Sequence, residues 1–138
     1  MSGCILDVSV TMAWHFEDEA SADMWGILDL VTISGASVPA LWALEVANTL
    51  AVAERRNRSS RSASATFVRE LAELSIDVDP QTAERALRET LNLARRHGLS
   101  VYDAAYLELA QREVLPLATI DQALRRAALA EGVELLPR

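Results

Sequence analysis

The chain has 138 residues, of which 51% are hydrophobic and 24% charged, with one cysteine, Cys4. This composition fits one globular domain, and it excludes a disulfide framework or a zinc site built on several thiolates. The net charge of −7 excludes a protein that coats nucleic acid by charge alone, and every basic residue is arginine, which excludes P-loop and Schiff-base lysines. No apolar run reaches the roughly 18–20 residues of a membrane span and the N-terminus does not resemble a secretory signal, so we expect a soluble, cytoplasmic protein without membrane contact.

The first half of the chain alternates short apolar strands with helices. A strand at residues 4–8 is followed by helices over residues 11–16 and 20–30, with the acidic run 17–19 predicted to lie at a solvated helix entrance. Residues 36–39 form the next strand, closed by Pro39. Helical patterns over residues 41–55 and 62–74 flank a break at 57–61.

The second half repeats this alternation. A strand at residues 75–79 precedes a helix over 81–96 that Gly98 ends as a C-cap. A helix over 100–112, a strand at 114–119, a helix over 121–130 and a strand at 133–136 complete the chain. Because hairpin signals are missing, the sequence predicts an α/β fold with a parallel sheet covered on both faces, excess helix and a single domain over residues 1–138.

Four acids stand where ligands bind in open α/β sheets, beyond the carboxyl ends of the strands. Asp7 ends the first strand, Asp121 follows the strand through residues 118–119, and Glu45 and Asp103 lie in the first turns of helices. Acids gathered there would repel one another unless a cation compensated them. A hard divalent ion such as Mg²⁺, which takes oxygen ligands, fits this requirement.

Each acid also has a structural interpretation. Ser100 and Asp103 approximate a capping box, and Asp121 can serve as the N-cap of its helix. Glu45 lies among apolar residues and needs a partner, for which Asn48, three residues later on the same helical face, is a candidate.

Four segments together resemble the PIN-domain ribonucleases, and most of all the VapC-type toxins of bacterial toxin–antitoxin pairs. The segments are CILDVSV at residues 4–10, LEVANTL at 44–50, LSVYDAAY at 99–106 and LATID at 117–121. The resemblance covers the whole chain and implies a three-layer α/β/α sandwich with a short central parallel sheet. It also implies endonucleolytic RNA cleavage with Mg²⁺ or Mn²⁺, held by an acidic quartet, Asp7, Glu45, Asp103 and Asp121, with Ser9, Asn48 and Thr119 as supporting polar groups.

The same resemblance implies two protein partners, a cognate antitoxin and a second copy of the chain in a homodimer. RNA would have to approach an acidic protein through local cations, for which the candidates are Arg55, Arg56, Arg58 and Arg61. Such arginines are equally typical of solvated helix ends.

Two other classes of protein gather acids at the ends of strands. In a non-catalytic α/β interaction module the acids would be helix caps, and no saturable Mg²⁺ or Mn²⁺ site would exist. A phosphoacceptor receiver domain also binds Mg²⁺, but it needs a lysine near its last strands, and this chain has none.

Overall fold

The computed structural model describes residues 2–138 and has a five-stranded sheet at its centre. The strand order is β3-β2-β1-β4-β5, and all neighbours are parallel. The strands are β1 (Ile5–Leu6), β2 (Ala36–Val38), β3 (Ile76–Val78), β4 (Leu117–Ala118) and β5 (Leu135–Leu136). Ile5 is in register with both Ser37 of β2 and Leu117 of β4, so β1 is the central strand. The predicted α/β class with a short parallel sheet is confirmed.

Helices make up most of the remaining chain. They are α1 (Val8–Ala13), α2 (Ala22–Ser34), α3 (Trp42–Arg55), α4 (Arg61–Ala72), α5 (Thr82–Arg85), α6 (Leu91–His97), α7 (Val101–Glu113) and α8 (Gln122–Ala130). A π-helical turn, Ala86–Thr90, joins α5 to α6, so the helix predicted over residues 81–96 is interrupted. Gly98 ends α6 in the left-handed conformation, at φ +64°, as the C-cap interpretation requires.

The core lies between the sheet and the helices that cover it. Both residues of β1 are fully buried, and seven consecutive residues of α7, from position 104 to 110, are buried as well. The Trp42 indole N–H donates to Thr11 Oγ1 at 3.0 Å, which joins α3 to α1. None of the helices in the described range 2–138 has the length and apolar character that crossing a membrane requires.

Two boundaries differ from the predictions near the central strands. The first helix begins at Val8 rather than at residue 11, because the Asp7 carbonyl already accepts hydrogen bonds from the amides of Val10 and Thr11. The strand predicted over residues 114–119 is confined to Leu117–Ala118, because Val114 adopts a left-handed conformation as the C-cap of α7.

The sequence predicts that the acidic run at residues 17–19 opens a helix. In the structure this run lies before α2 and does not open it. Ser21 is the N-cap of α2, where its hydroxyl accepts from the Met24 amide at 3.3 Å. Asp18 and Glu19 instead bind Arg58, which lies in the turn between α3 and α4. The run therefore pairs with a distant cation rather than with a helix dipole.

Candidate active site

Asp7 lies at the carboxyl end of the central strand, with its side chain almost fully buried. Its amide still belongs to the sheet, donating to the Ala118 carbonyl at 3.0 Å. Carboxylate atom Oδ2 accepts from the hydroxyls of Ser9 at 2.6 Å and Thr119 at 2.7 Å. Atom Oδ1 is buried, and no donor in the described chain reaches it. Burial raises the pKa of Asp7. The hydrogen bonds from Ser9 and Thr119 lower this pKa in part, and the charge of Asp121 raises it further.

Ser9 and Thr119 connect Asp7 to the loop that leaves β4. The Ile120 amide donates to Ser9 Oγ at 3.1 Å, and the Asp121 amide donates to Thr119 Oγ1, also at 3.1 Å. Each hydroxyl therefore donates to Asp7 and accepts from the β4–α8 loop. These contacts fix the ends of the two adjacent strands relative to each other.

Asp121 is the N-cap of α8. Its Oδ1 accepts from the Leu124 amide at 2.8 Å, so the structural interpretation of this residue is correct. The cap engages one carboxylate oxygen, and the charge of Asp121 still raises the pKa of both Asp7 and Asp103. A capping role and a place among the acids therefore coexist.

Asp103 lies in the first turn of α7, partly buried. Its amide makes the cap interaction, donating to Ser100 Oγ at 3.1 Å. Burial raises the pKa of Asp103, the charges of Asp7 and Asp121 raise it further, and the Ser100 hydroxyl lowers it in part. A place in the capped first turn and a place among the acids therefore coexist at Asp103, as they do at Asp121.

Glu45 lies in the first turn of α3, and its partner is a residue that the sequence did not indicate. The Tyr106 hydroxyl donates to Glu45 Oε1 at 2.6 Å. Burial raises the pKa of Glu45, the Tyr106 hydrogen bond lowers it in part, and the charges of Asp7 and Asp103 raise it. One signal could have identified Tyr106, because it lies three residues after Asp103 and so shares a face of α7.

The four acids thus meet at one end of the sheet, since each interacts electrostatically with at least one of the others. Within residues 2–138, however, no group of three or more Asp, Glu, His or Cys side chains is close enough to bind a metal ion in the present conformation. Uncompensated carboxylates this near one another are unfavourable, and a bound cation would relieve their repulsion. The donor set nevertheless fits a hard divalent cation, because it consists of oxygen atoms and includes the unpartnered, buried Asp7 Oδ1.

Asn48 is exposed on α3, one turn beyond Glu45. Across the described residues no hydrogen bond joins the two side chains, and Glu45 is held by Tyr106 instead. A role for Asn48 at the site stays a prediction.

The candidate RNA-binding arginines lie around the turn between α3 and α4. Arg58 binds Asp18 at 2.9 Å and Glu19 at 2.6 Å, and its guanidinium lies 3.9 Å from the centre of the Phe16 ring. Arg55 and Arg56 are exposed at the end of α3, about 15 Å along the helix axis from Glu45. Arg61 is exposed at the start of α4. Contact of these side chains with RNA stays a prediction.

Three comparisons with known proteins agree with this architecture. The family model described as PIN domain matches residues 4–129. The chain is 34% identical over 84 residues to "Ribonuclease VapC3" of Pyrobaculum aerophilum, an alignment that covers 61% of this chain and 64% of that protein, or less than two thirds of its length. The crystal structure of PAE2754 from Pyrobaculum aerophilum superimposes with a TM-score of 0.67 at 23% identity, covering 97% of this chain and 83% of the other, and supports the three-layer α/β/α sandwich. The chain belongs to the PIN domain family.

Proposed function

We propose that the protein is an endoribonuclease that depends on Mg²⁺ or Mn²⁺ and acts as the toxin of a VapBC-like toxin–antitoxin pair. The observation that carries this proposal is the buried Asp7 Oδ1, which has no hydrogen-bond partner and lies among three further acids. An unpartnered buried polar atom is costly unless a ligand satisfies it. The partial similarity to a protein named Ribonuclease VapC3 supports the choice of RNA as substrate.

The cation would be held by the carboxylates of Asp7, Glu45, Asp103 and Asp121. When bound, a divalent cation supplies charge neutralisation on the phosphate and a lowered pKa for a water molecule. Ser9 and Thr119 hold Asp7 through Oδ2, which leaves Oδ1 available. Glu45 is held through Oε1 by Tyr106, and its Oε2 is free of hydrogen bonds in the described chain, so this oxygen is available to the cation.

The test is cleavage of total cellular RNA by the purified protein, freed of any co-purifying partner. We expect cutting with Mg²⁺ or Mn²⁺, and loss of cutting with EDTA or in the Asp103→Asn variant. Asp103→Asn is well suited because its cap interaction uses the backbone amide, which the substitution retains. Asp29→Asn is the matched control, because Asp29 is an exposed carboxylate within α2 and should be dispensable.

Cutting that survives both EDTA and Asp103→Asn would contradict the proposal and point to a contaminating nuclease. If the protein neither cuts RNA nor binds Mn²⁺ saturably, the non-catalytic interaction module becomes the better account. In that case the acids would act as helix caps, as Asp121 does for α8.

We further propose an antitoxin and a second copy of the chain as partners. An apolar groove of about 350 Å³ lies between α2 and α4, where exposed Trp25 and buried Phe67 contribute to its walls. Such a groove suits an apolar helix or segment of a partner protein. Co-expression with a candidate antitoxin, followed by co-purification and light scattering, measures both associations. A monomer that retains no partner would contradict this part of the proposal.

A further inference from the structure

We propose that Tyr106 is a positioning residue that holds Glu45 in the geometry needed to bind the divalent cation. This inference rests on the proposed function, because it assigns a task within the same site. It concerns a side chain that is fully buried and lies between the elements that carry the acids.

Tyr106 belongs to α7, one turn after Asp103, and it reaches across to α3. Its hydroxyl donates to Glu45 Oε1 at 2.6 Å, although the two residues are 61 positions apart in the chain. The short distance is typical of a hydrogen bond to an ionised carboxylate. The bond therefore ties the position of Glu45 to the helix that also carries Asp103.

The Tyr106 hydroxyl also lies near the Val8 backbone. Burial and the hydrogen bond to Glu45 raise the pKa of Tyr106, and the Val8 backbone lowers it in part. Val8 is the first residue of α1 and directly follows Asp7. The Tyr106 hydroxyl therefore binds Glu45 directly and lies close to the segment that bears Asp7.

Glu45 needs such a restraint because it is repelled by its neighbours. The charges of Asp7 and Asp103 both disfavour its ionised form. Without the Tyr106 hydroxyl, the flexible glutamate side chain would be free to turn away from these charges toward solvent. Hydrogen bonds that orient metal ligands typically contribute about 10- to 100-fold in metal affinity.

The experiment is a double-mutant cycle on Mn²⁺ affinity, measured by electron paramagnetic resonance of free Mn²⁺ in the full-length protein. We expect Tyr106→Phe to weaken Mn²⁺ binding about tenfold, and Glu45→Ala to weaken it as well. In the Glu45→Ala background, which lacks the acceptor oxygen, adding Tyr106→Phe should cause little further loss, because the hydroxyl acts through Glu45. Tyr102→Phe, one turn earlier on α7 and 67% exposed, is the matched control and should leave the affinity unchanged.

Two results would overturn the inference while leaving the metal site intact. Unchanged Mn²⁺ affinity in Tyr106→Phe would show that the hydroxyl does not position Glu45. An equal loss in both backgrounds would show a general structural effect that does not pass through Glu45. If the wild-type protein binds no Mn²⁺ saturably, the proposed function itself fails, and the role of Tyr106 fails with it.

A second measurement covers the case in which Tyr106→Phe does not fold. The chain has only two tyrosines, so fluorotyrosine labelling gives two resolvable ¹⁹F signals. We expect Mg²⁺ to shift the Tyr106 signal in the wild-type protein, and to shift it less in Glu45→Gln. A Tyr106 signal that ignores Mg²⁺ in the wild type, while the protein still binds the ion, would overturn the inference.

Discussion

Two hydroxyls on one oxygen of Asp7 define the chemistry of the site at the scale of single residues. Ser9 and Thr119 both donate to Oδ2, which fixes the carboxylate and leaves Oδ1 buried without a partner. Leaving a buried polar atom unsatisfied costs about 1–3 kcal/mol in stability. This arrangement favours ligand binding over the stability of the free protein.

Asp103→Asn should stabilise the metal-free protein at neutral pH. The folded-state pKa of Asp103 is raised by burial and by the charges of Asp7 and Asp121, so its ionisation opposes folding. The wild type therefore loses stability as pH rises from about 4, the ordinary pKa of aspartate, through the raised value. Asparagine does not titrate, so the advantage of the variant should grow with pH and vanish below about pH 4.

Urea denaturation in EDTA at several pH values measures this difference. Asp29→Asn, at an exposed position in α2, serves as the matched control and should leave stability close to that of the wild type. A stability difference for Asp103→Asn that stays constant between pH 3 and 8 would contradict the electrostatic explanation.

The sequence indicated the four acids but not how they are held. Asp7 and Asp121 could be predicted because strand ends in a parallel sheet place their following residues at one edge. Tyr106 was missed because its bond to Glu45 depends on how α3 packs against α7, which helical spacing does not report. Asn48 was favoured instead because spacing identifies only neighbours on the same helix.

At the scale of elements, the end of α7 shows local backbone strain. Val114 has φ +54° and is 86% exposed, although β-branched residues rarely adopt the left-handed conformation. Glycine is the preferred residue at such a helix end.

Val114→Gly should therefore stabilise the protein by about 1 kcal/mol, because it relieves the strain and removes almost no packing. Chemical denaturation measures the change. Val114→Ala is the matched control, since alanine keeps a Cβ in the strained conformation and should gain less. Destabilisation by Val114→Gly would contradict the explanation.

Glu131 joins the ends of three helices. Its carboxylate accepts from Arg96 at 2.8 Å, from His97 at 2.6 Å and from Gln111 at 2.9 Å. Hydrogen bonds from Arg96 and His97 lower the pKa of Glu131 to about 2. The carboxylate is therefore more stable in the folded protein than in the unfolded chain.

Glu131→Gln should destabilise the protein by roughly 1–3 kcal/mol at neutral pH. The stabilisation from a lowered pKa is complete above the ordinary glutamate pKa of 4.5 and is lost as pH falls toward about 2. The deficit of the variant should shrink over the same window in thermal unfolding. Glu134→Gln, which removes a bridge between two exposed side chains, is the control and should have little effect. A deficit that does not change with pH would contradict this account.

The order of helices and strands could be predicted because apolar periodicity and capping residues are local properties. Ser100 and Gly98 act at the ends of α7 and α6 as their residue types indicate. The start of α1 could not be predicted from the sequence, because Val8 continues an apolar run that is typical of a strand. The acidic run at residues 17–19 was misassigned because its partner, Arg58, lies about 40 positions away.

At the scale of the whole molecule, the four acids come from distant parts of the chain and lie at the carboxyl ends of β1 and β4. Closing this site with a cation should therefore stabilise the entire fold. At a free concentration 100 times its Kd, a bound ion contributes about 2.7 kcal/mol. For a domain of this size that corresponds to a rise in Tm of about 10 °C.

Thermal unfolding with added Mn²⁺ or Mg²⁺ measures this stabilisation, with NaCl at matched ionic strength as the control. Asp103→Asn should show a smaller rise in Tm, because it lacks one ligand charge. An equal rise for the wild type and Asp103→Asn would place the bound ion elsewhere and contradict the proposed site.

The most direct test of the central claim, that the four acids hold a divalent cation, is anomalous diffraction from crystals of the protein soaked in Mn²⁺. We predict anomalous density at the end of β1 and β4, in contact with Asp7 Oδ1 and with carboxylate oxygens of the other acids around it. A saturating soak that leaves Asp7 Oδ1 without a metal contact, or places the ion away from these acids, would contradict the account.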